Sequence, residues 1–229
     1  MSLALFPPQI LSDYETHEWR HAASVLKADF PQEWDDLLNV LTEFKLYRSE
    51  VETPGGGRSP IAMRIDGHFY NLGWREHGFD TEVVVDTVTH KSPTHKVDNF
   101  KNRVACDLEW NNKTEFYDRD LNNFRLLFDL RAVSVGIIIT RASHLQQIFN
   151  SLRKGSSYGS STTHMDKLVP RLEGGSGGGC PILAFGITRS LFVDDVRNPE
   201  LFKARQLLGT NPNPIATEAP SIGGVNGTP

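Results

Sequence analysis

Val104-Ala105-Cys106-Asp107-Leu108-Glu109-Trp110 is the stretch on which the fold turns. As a strand it sends Val104, Cys106, Leu108 and Trp110 to one face, while Asp107 and Glu109 share the other. Two adjacent carboxylates repel, and burying either without a partner costs several kcal/mol. A divalent cation is the usual compensation, because hard oxygen ligands suit magnesium. Asp98, nine residues before Asp107, supplies a third carboxylate. An acid pair on a strand is often no more than a solvated edge. Here the opposite face is apolar, which favours a buried cation pocket and a metal-dependent nuclease.

Working outward, the flanking segments predict an α/β protein. Ser134-Val135-Gly136-Ile137-Ile138-Ile139-Thr140 and Pro181-Ile182-Leu183-Ala184-Phe185-Gly186-Ile187 are apolar on both faces, as central strands covered by helices are. Between the acid-bearing strand and the first of these lies 118–130, where Leu121, Phe124, Leu127 and Phe128 recur at helical spacing and Asp118 or Asp120 is placed to cap. Such a helix serves as a crossover and makes its flanking strands parallel. A second helical stretch, 144–152, follows the next strand. Upstream, Glu82-Val83-Val84-Val85-Asp86 predicts another strand. Ser12-Asp13-Tyr14-Glu15 has the form of a capping box, predicting a helix from there to Phe30. Pro31 then opens a further helix carrying Trp34, Leu37, Leu38 and Leu41.

The 229 residues suffice for one well-packed domain, expected over 1–210, with N-terminal helices at 12–50 and a catalytic core at 80–190. The segment 211–229, rich in Pro, Gly, Asn and Thr, is expected to be a disordered tail. No apolar run reaches the roughly 20 residues that span a bilayer, and residues 1–8 lack the basic start and apolar core of a signal peptide. A cytoplasmic protein with no membrane association is therefore expected. Cys106 and Cys180, each in or before an apolar strand, are read as reduced and structural.

Net charge is −4, which by itself does not advertise a nucleic-acid binder. Between 141 and 171, however, five basic residues (Arg141, Arg153, Lys154, Lys167 and Arg171) face a single acid, Asp166. A local basic stripe fits a protein that grips phosphates on one face, and equally a solvated surface. Within that stripe, 155–164 is a hydroxyl-rich loop. His90 and His95 flank a proline-containing loop without zinc-like partners, and His17 and His21 lie four apart on the predicted first helix; all four are read as structural.

Asp98-x8-Asp107-x-Glu109 resembles the PD-(D/E)xK nuclease core in the variant whose last lysine is an acid, a variant of the BglII/BstYI (BamHI-like) group of type II restriction endonucleases. His21-Ala22, Trp34-Asp35-Asp36-Leu37-Leu38 and Gly73-Trp74-Arg75-Glu76 extend the similarity, which covers about 12–190. Two departures stand out: Asp107 is one methylene shorter than the usual glutamate, and Glu109 matches BamHI rather than the glutamine of BglII.

The resemblance implies a restriction-endonuclease-like mixed β-sheet flanked by helices, and hydrolysis of double-stranded DNA at a short palindromic site. One or two magnesium ions would be held by Asp98, Asp107 and Glu109, with Glu76 the expected additional acid and His77 its neighbour in that role. Two ions about 4 Å apart lower the pKa of bound water and neutralise charge on the phosphate. Asn112, three residues past the last acid, is expected to read bases, an amide being able to donate and accept at once; its other reading is a turn asparagine. Ser160, Ser161, Thr162, Thr163 and His164 match the group's second recognition loop, a plain surface loop being the rival. Lys101, Lys113, Arg153, Lys154 and Lys167 are expected at phosphates. A homodimer is implied, with helix 118–130 offered for its interface, a GATC-centred hexamer as target, and a cognate DNA methyltransferase only as genetic partner. The alternatives are a nonspecific or structure-selective repair nuclease and a DNA-binding protein without activity.

Overall fold

A computed structural model describes residues 2–54 and 57–209. It divides into two compact units, 1–194 and 195 onward. The expected tail at 211–229 lies outside the described residues.

In the first unit α1 (Pro8–Asp13) leads into β1 (Tyr14–Trp19), followed by α2 (Ala22–Asp29), α3 (Pro31–Glu43), β2 (Leu46–Tyr47), α4 (Arg48–Glu52) and α5 (Pro60–Asn71). Then come β3 (Arg75–His77), β4 (Asp80–Val85), β5 (Val88–Pro93), β6 (Val97–Lys101), β7 (Val104–Leu108) and α6 (Glu115–Asp129). The unit closes with β8 (Val135–Arg141), α7 (Gln146–Ser151), α8 (Met165–Glu173), β9 (Ile182–Ile187) and β10 (Phe192–Val193). The second unit contains α9 (Pro199–Gly209).

The central sheet has the order β1-β9-β8-β7-β6-β3 and is mixed: β7, β8 and β9 run parallel, while β1, β6 and β3 are antiparallel to their neighbours. α6 is the crossover between β7 and β8, as its apolar spacing predicts. The sheet separates two cores. On one face Val104, Cys106, Leu108 and Trp110 pack with the N-terminal helices; on the other Ala105 packs with Tyr117, Leu121 and Phe124 of α6 and with Met165 and Leu168 of α8. The predicted alternation along β7 is therefore what builds both layers. Gly136 of β8 lies directly beneath the ring of Phe124, where an added Cβ would come within 2.5 Å of that ring.

Three expectations are corrected. The helix predicted from Ser12 to Phe30 does not form. Ser12 belongs to α1, Tyr14–Trp19 pairs residue by residue with β9 from Tyr14↔Ile187 to Trp19↔Ile182, and the chain turns through Arg20 and His21, both at positive φ, before α2. Tyr14, Thr16 and Trp19 suit a strand, and pairing covers what would otherwise be the open edge of β9. His17 and His21 therefore share no helix. The valine run of β4 does not enter the central sheet either; it forms a hairpin with β5 alone, leaving Val83, Val84, Val85 and Val88 exposed. Neither Asp118 nor Asp120 caps a helix, because α6 already begins at Glu115.

Candidate active site

Asp98 sits on β6, a strand that its sequence, Val97-Asp98-Asn99-Phe100-Lys101, does not announce. β6 and β7 form a hairpin closed by Asn102 and Arg103, both at positive φ, the twist that two-residue hairpin loops require. The register pairs Asn99 with Cys106 and so sets Asp98 opposite Asp107. The N–H of Asp98 donates to Asp107 Oδ1 at 2.9 Å, and the N–H of Leu108 donates to Asp98 Oδ2 at 3.3 Å. Each carboxylate is thus held by the backbone of the other's strand. Asn99, on the opposite face, donates to Asp66 Oδ1 of α5 at 2.7 Å; Asp66, also paired with Arg58, is pushed up by burial, and the charge of Asp98 adds to that shift.

One turn of strand further on, Glu109 is buried. Its Oε2 accepts from Asn112 Nδ2 at 2.8 Å and its Oε1 from Arg119 Nη2 at 3.1 Å. Arg119 also bonds Asp120 Oδ1, at 2.8 Å through Nε and 2.7 Å through Nη2. Asp120 is only 1% exposed, and a side-chain hydrogen bond joins it to Glu109. This acid was missed in the sequence, although a signal was present: Tyr117, Asp120, Leu121 and Phe124 share the apolar face of α6, a position where a carboxylate needs a reason.

The electrostatics follow from crowding in a dry place. Burial, then the charges of Asp120 and Asp98, push Asp107 well above the carboxylate range, against the Asp98 N–H and Arg119. Burial and then Asp120 push Glu109 up to about 9, opposed by Asn112 and Arg119. Asp120 is raised by burial too, with Glu109 and Arg119 pulling the other way. Buried acids that cannot all ionise, Glu109 and Asp120 among them joined by a side-chain hydrogen bond, form an oxygen-only donor set of the kind a hard dication takes. By chemistry the residues fit such a cation. In the arrangement seen, however, among the described residues no three acid, histidine or cysteine side chains converge on one point. Asp98, Asp107 and Glu109 are neighbours held by their own hydrogen bonds rather than gathered on a shared centre.

Glu76 is not brought to this group. It lies on the edge strand β3, about 60% exposed, and accepts from Lys96 Nζ at 2.8 Å; His77 instead stacks on Phe100. Lys101 is likewise engaged inward, donating to the buried Asp36 at 2.7 Å and to the Leu72 carbonyl, while Trp74 Nε1 bonds the same carboxylate. Trp74 and Lys101 thereby tie Asp36 of α3 to the turn end of β6, with the Lys101 ammonium turned inward.

The two recognition segments meet at the end of β7. Thr163 N–H donates to the Asn112 carbonyl at 2.9 Å, Asn112 N–H to Thr163 Oγ1 at 3.2 Å, and Lys113 and Thr162 form an antiparallel bridge. Thr163 Oγ1 bonds the Glu109 carbonyl. Beneath the loop lies Arg141, 1% exposed, whose Nη2 donates to the carbonyls of Tyr158 and Gly159 and to Thr162 Oγ1. Thr162, Thr163 and His164, the last bonded through Nδ1 to Ser143, hold the loop in place. Lys113, Ser160 and Ser161 face solvent, as do Arg153 and Lys167, with Lys154 half-buried beside them. The basic stripe is reduced accordingly: Arg141 is internal and Arg171 pairs with Asp118 at 2.7 Å.

A mixed sheet with helices on both faces, carrying acids on an antiparallel hairpin that feeds a parallel crossover, is consistent with the restriction-endonuclease-like fold. The family model described as restriction endonuclease BglII/BglIII matches residues 14–187, from the first residue of β1 to the last of β9. The chain belongs to that family and is a site-specific deoxyribonuclease. A comparison with curated proteins finds none that matches it.

Proposed function

We propose that this chain acts as a homodimer that cuts both strands of a short palindromic DNA site in a magnesium-dependent reaction. One observation carries the reading: Glu109 and Asn112, an acid and a base-reading amide, are three residues apart at the end of one strand and joined by a 2.8 Å hydrogen bond. Chemistry and readout are thus built on the same rigid edge.

Asp98, Asp107 and Glu109 are the residues that would hold the metal. Magnesium, when bound, lowers the pKa of water and offsets charge on the scissile phosphate. The Asp98 and Leu108 amides orient the first two carboxylates, and Arg119 supplies positive charge beside Glu109. Asn112, Lys113, Ser160 and Ser161 present donors and acceptors for base edges, and Arg153, Lys154 and Lys167 take phosphates that set the register. A palindrome calls for a two-fold protein with one site per strand. A cytoplasmic location and a methyltransferase as genetic partner belong to the same reading; among the described residues no helix is long and apolar enough to cross a membrane.

Incubating the purified protein with phage DNA, with and without magnesium, tests this. Discrete fragments only with magnesium are expected. A smear favours a nonspecific nuclease, and DNA left intact in both conditions overturns the reading.

A further inference from the structure

We propose that Thr163 is a positioning residue that couples DNA reading by the 155–164 loop to the acid Glu109. The inference rests on the reading above, in which that loop and Asn112 meet base edges, and it gives Thr163 a role other than base contact.

Thr163 is fully buried and meets no base in this arrangement. Its hydroxyl is turned toward the strand that carries the acids. Oγ1 donates to the Glu109 carbonyl at 3.1 Å and accepts the Asn112 N–H at 3.2 Å, two roles that one hydroxyl can fill. Its own N–H donates to the Asn112 carbonyl at 2.9 Å. One loop residue is thus bonded to the main chain of Glu109 and to that of the amide whose side chain holds the Glu109 carboxylate. The Glu109 carbonyl takes a second hydroxyl, Thr140 of β8 at 2.9 Å, and the Tyr117 hydroxyl of α6 bonds both threonines. Three hydroxyls, from a helix, a strand and the loop, therefore fix one peptide group away from water, where such networks are stiff.

The loop is braced immediately before this point. Arg141 Nη2 donates to the Tyr158 and Gly159 carbonyls and to Thr162 Oγ1, and Thr114 Oγ1 donates to the Ser161 carbonyl at 2.7 Å. The exposed Ser160 and Ser161 stand among these braces, only three and two residues from Thr163. A shift of the serines on meeting DNA therefore reaches the Glu109 peptide through Thr163. Anchoring the loop does not require the hydroxyl. The Thr163 N–H and the Lys113–Thr162 bridge already tie loop to strand, and a valine would fill the same space. What the hydroxyl adds is a bond whose acceptor is the acid's own peptide.

The test is steady-state cleavage of phage DNA with magnesium by the full chain, for wild type, Thr163→Val, Thr163→Ser and Thr188→Val. Thr188, after β9, donates to the Asp13 carbonyl at 2.7 Å, so its valine variant loses a comparable bond outside the site. Thr163→Val is expected to lose about tenfold or more in kcat with KM within about threefold, the signature of an interaction that serves the chemical step rather than binding. Thr163→Ser, which keeps the hydroxyl, should stay within about threefold of wild type in both. Thr188→Val should keep wild-type kinetics even where its melting temperature falls. Wild-type kcat in Thr163→Val overturns the proposal, whatever its KM. So does a serine variant as slow as the valine one, because the methyl group would then be what matters. An equal kcat loss in Thr188→Val overturns it too, as the mark of general destabilisation. Thr163→Ala serves in the same assay if the valine variant does not fold. In each of these failures the wild type still cuts phage DNA into discrete fragments, so the nuclease reading survives. A wild type that leaves the DNA intact removes both.

Discussion

Arg141 and Arg119 both reach buried groups of this enzyme, and their surroundings differ in kind. Arg141 is enclosed beneath the 155–164 loop among neutral oxygens, two carbonyls and a threonine hydroxyl. Arg119 is partly open to solvent and sits between two carboxylates. The first environment is neutral: burial lowers Arg141 to about 10, yet it stays charged at neutral pH, its Nη2 shared among three oxygens and its buried Nε left without an acceptor. The second is crowded with like charge, with three acids pushed above their ordinary range. The difference teaches that the 155–164 loop is prearranged by neutral dipoles, while the acids beside Arg119 are held in electrostatic tension.

The comparison breaks most visibly at the acids. Asp107→Asn should remove cleavage by a thousandfold or more in a DNA-fragmentation assay while the far-ultraviolet circular dichroism stays that of wild type, since the change relieves charge crowding rather than packing. On the other side, Arg141→Met leaves carbonyls without donors and should destabilise the fold by about 3 kcal/mol, measured by urea unfolding. It should also weaken specific DNA binding more than metal binding.

The acid region makes a pH prediction of definite sign. Glu109 is raised in the folded protein, from a normal carboxylate value to about 9. The folded state therefore holds its proton more tightly than the unfolded chain does. That contribution to stability is complete below about 4.5, the unfolded value, and declines as pH rises through about 9. Without metal, the melting temperature should fall across this window, and Glu109→Gln should flatten the fall; a variant with the wild-type slope would contradict the assignment. The smallest effect is expected at Glu76. Its pair with Lys96 is exposed and worth a few tenths of a kcal/mol, so Glu76→Gln should keep the cleavage rate within about twofold. A loss of a hundredfold would return Glu76 to the site.

Periodicity made most of the sheet legible. The continuous apolar runs of β8 and β9, the two-faced β7 and the helical spacing of α6 each state their own burial, and the parallel crossover follows from their order. Asp98, Asp107 and Glu109 were legible by spacing, and the structure joins the first two through backbone amides. β1 was not legible because its identity comes from β9, far along the chain (Tyr14 pairs with Ile187 and Trp19 with Ile182), and local signals for a cap outweighed it. β6 was hidden because polar Asp98 and Asn99 interrupt the alternation that marks a strand. Asp120 was hidden by a more ordinary role, a helix cap, and Arg141 by an ordinary one for a basic residue near DNA. In both cases the decisive fact is what the third dimension places beside the side chain.

Gly136 has a consequence for the distance between α6 and the strands beneath it. Phe124 rests on the bare backbone of β8 at that glycine, and Asp120 stands one helical turn before Phe124 on the same side of α6. The missing methyl group therefore sets how near the crossover helix can lie to the strands. An alanine at 136 would push the aromatic ring outward and carry the acid away with it, so a single hydrogen atom in mid-sheet gauges the gap between Asp120 and the acids of β7.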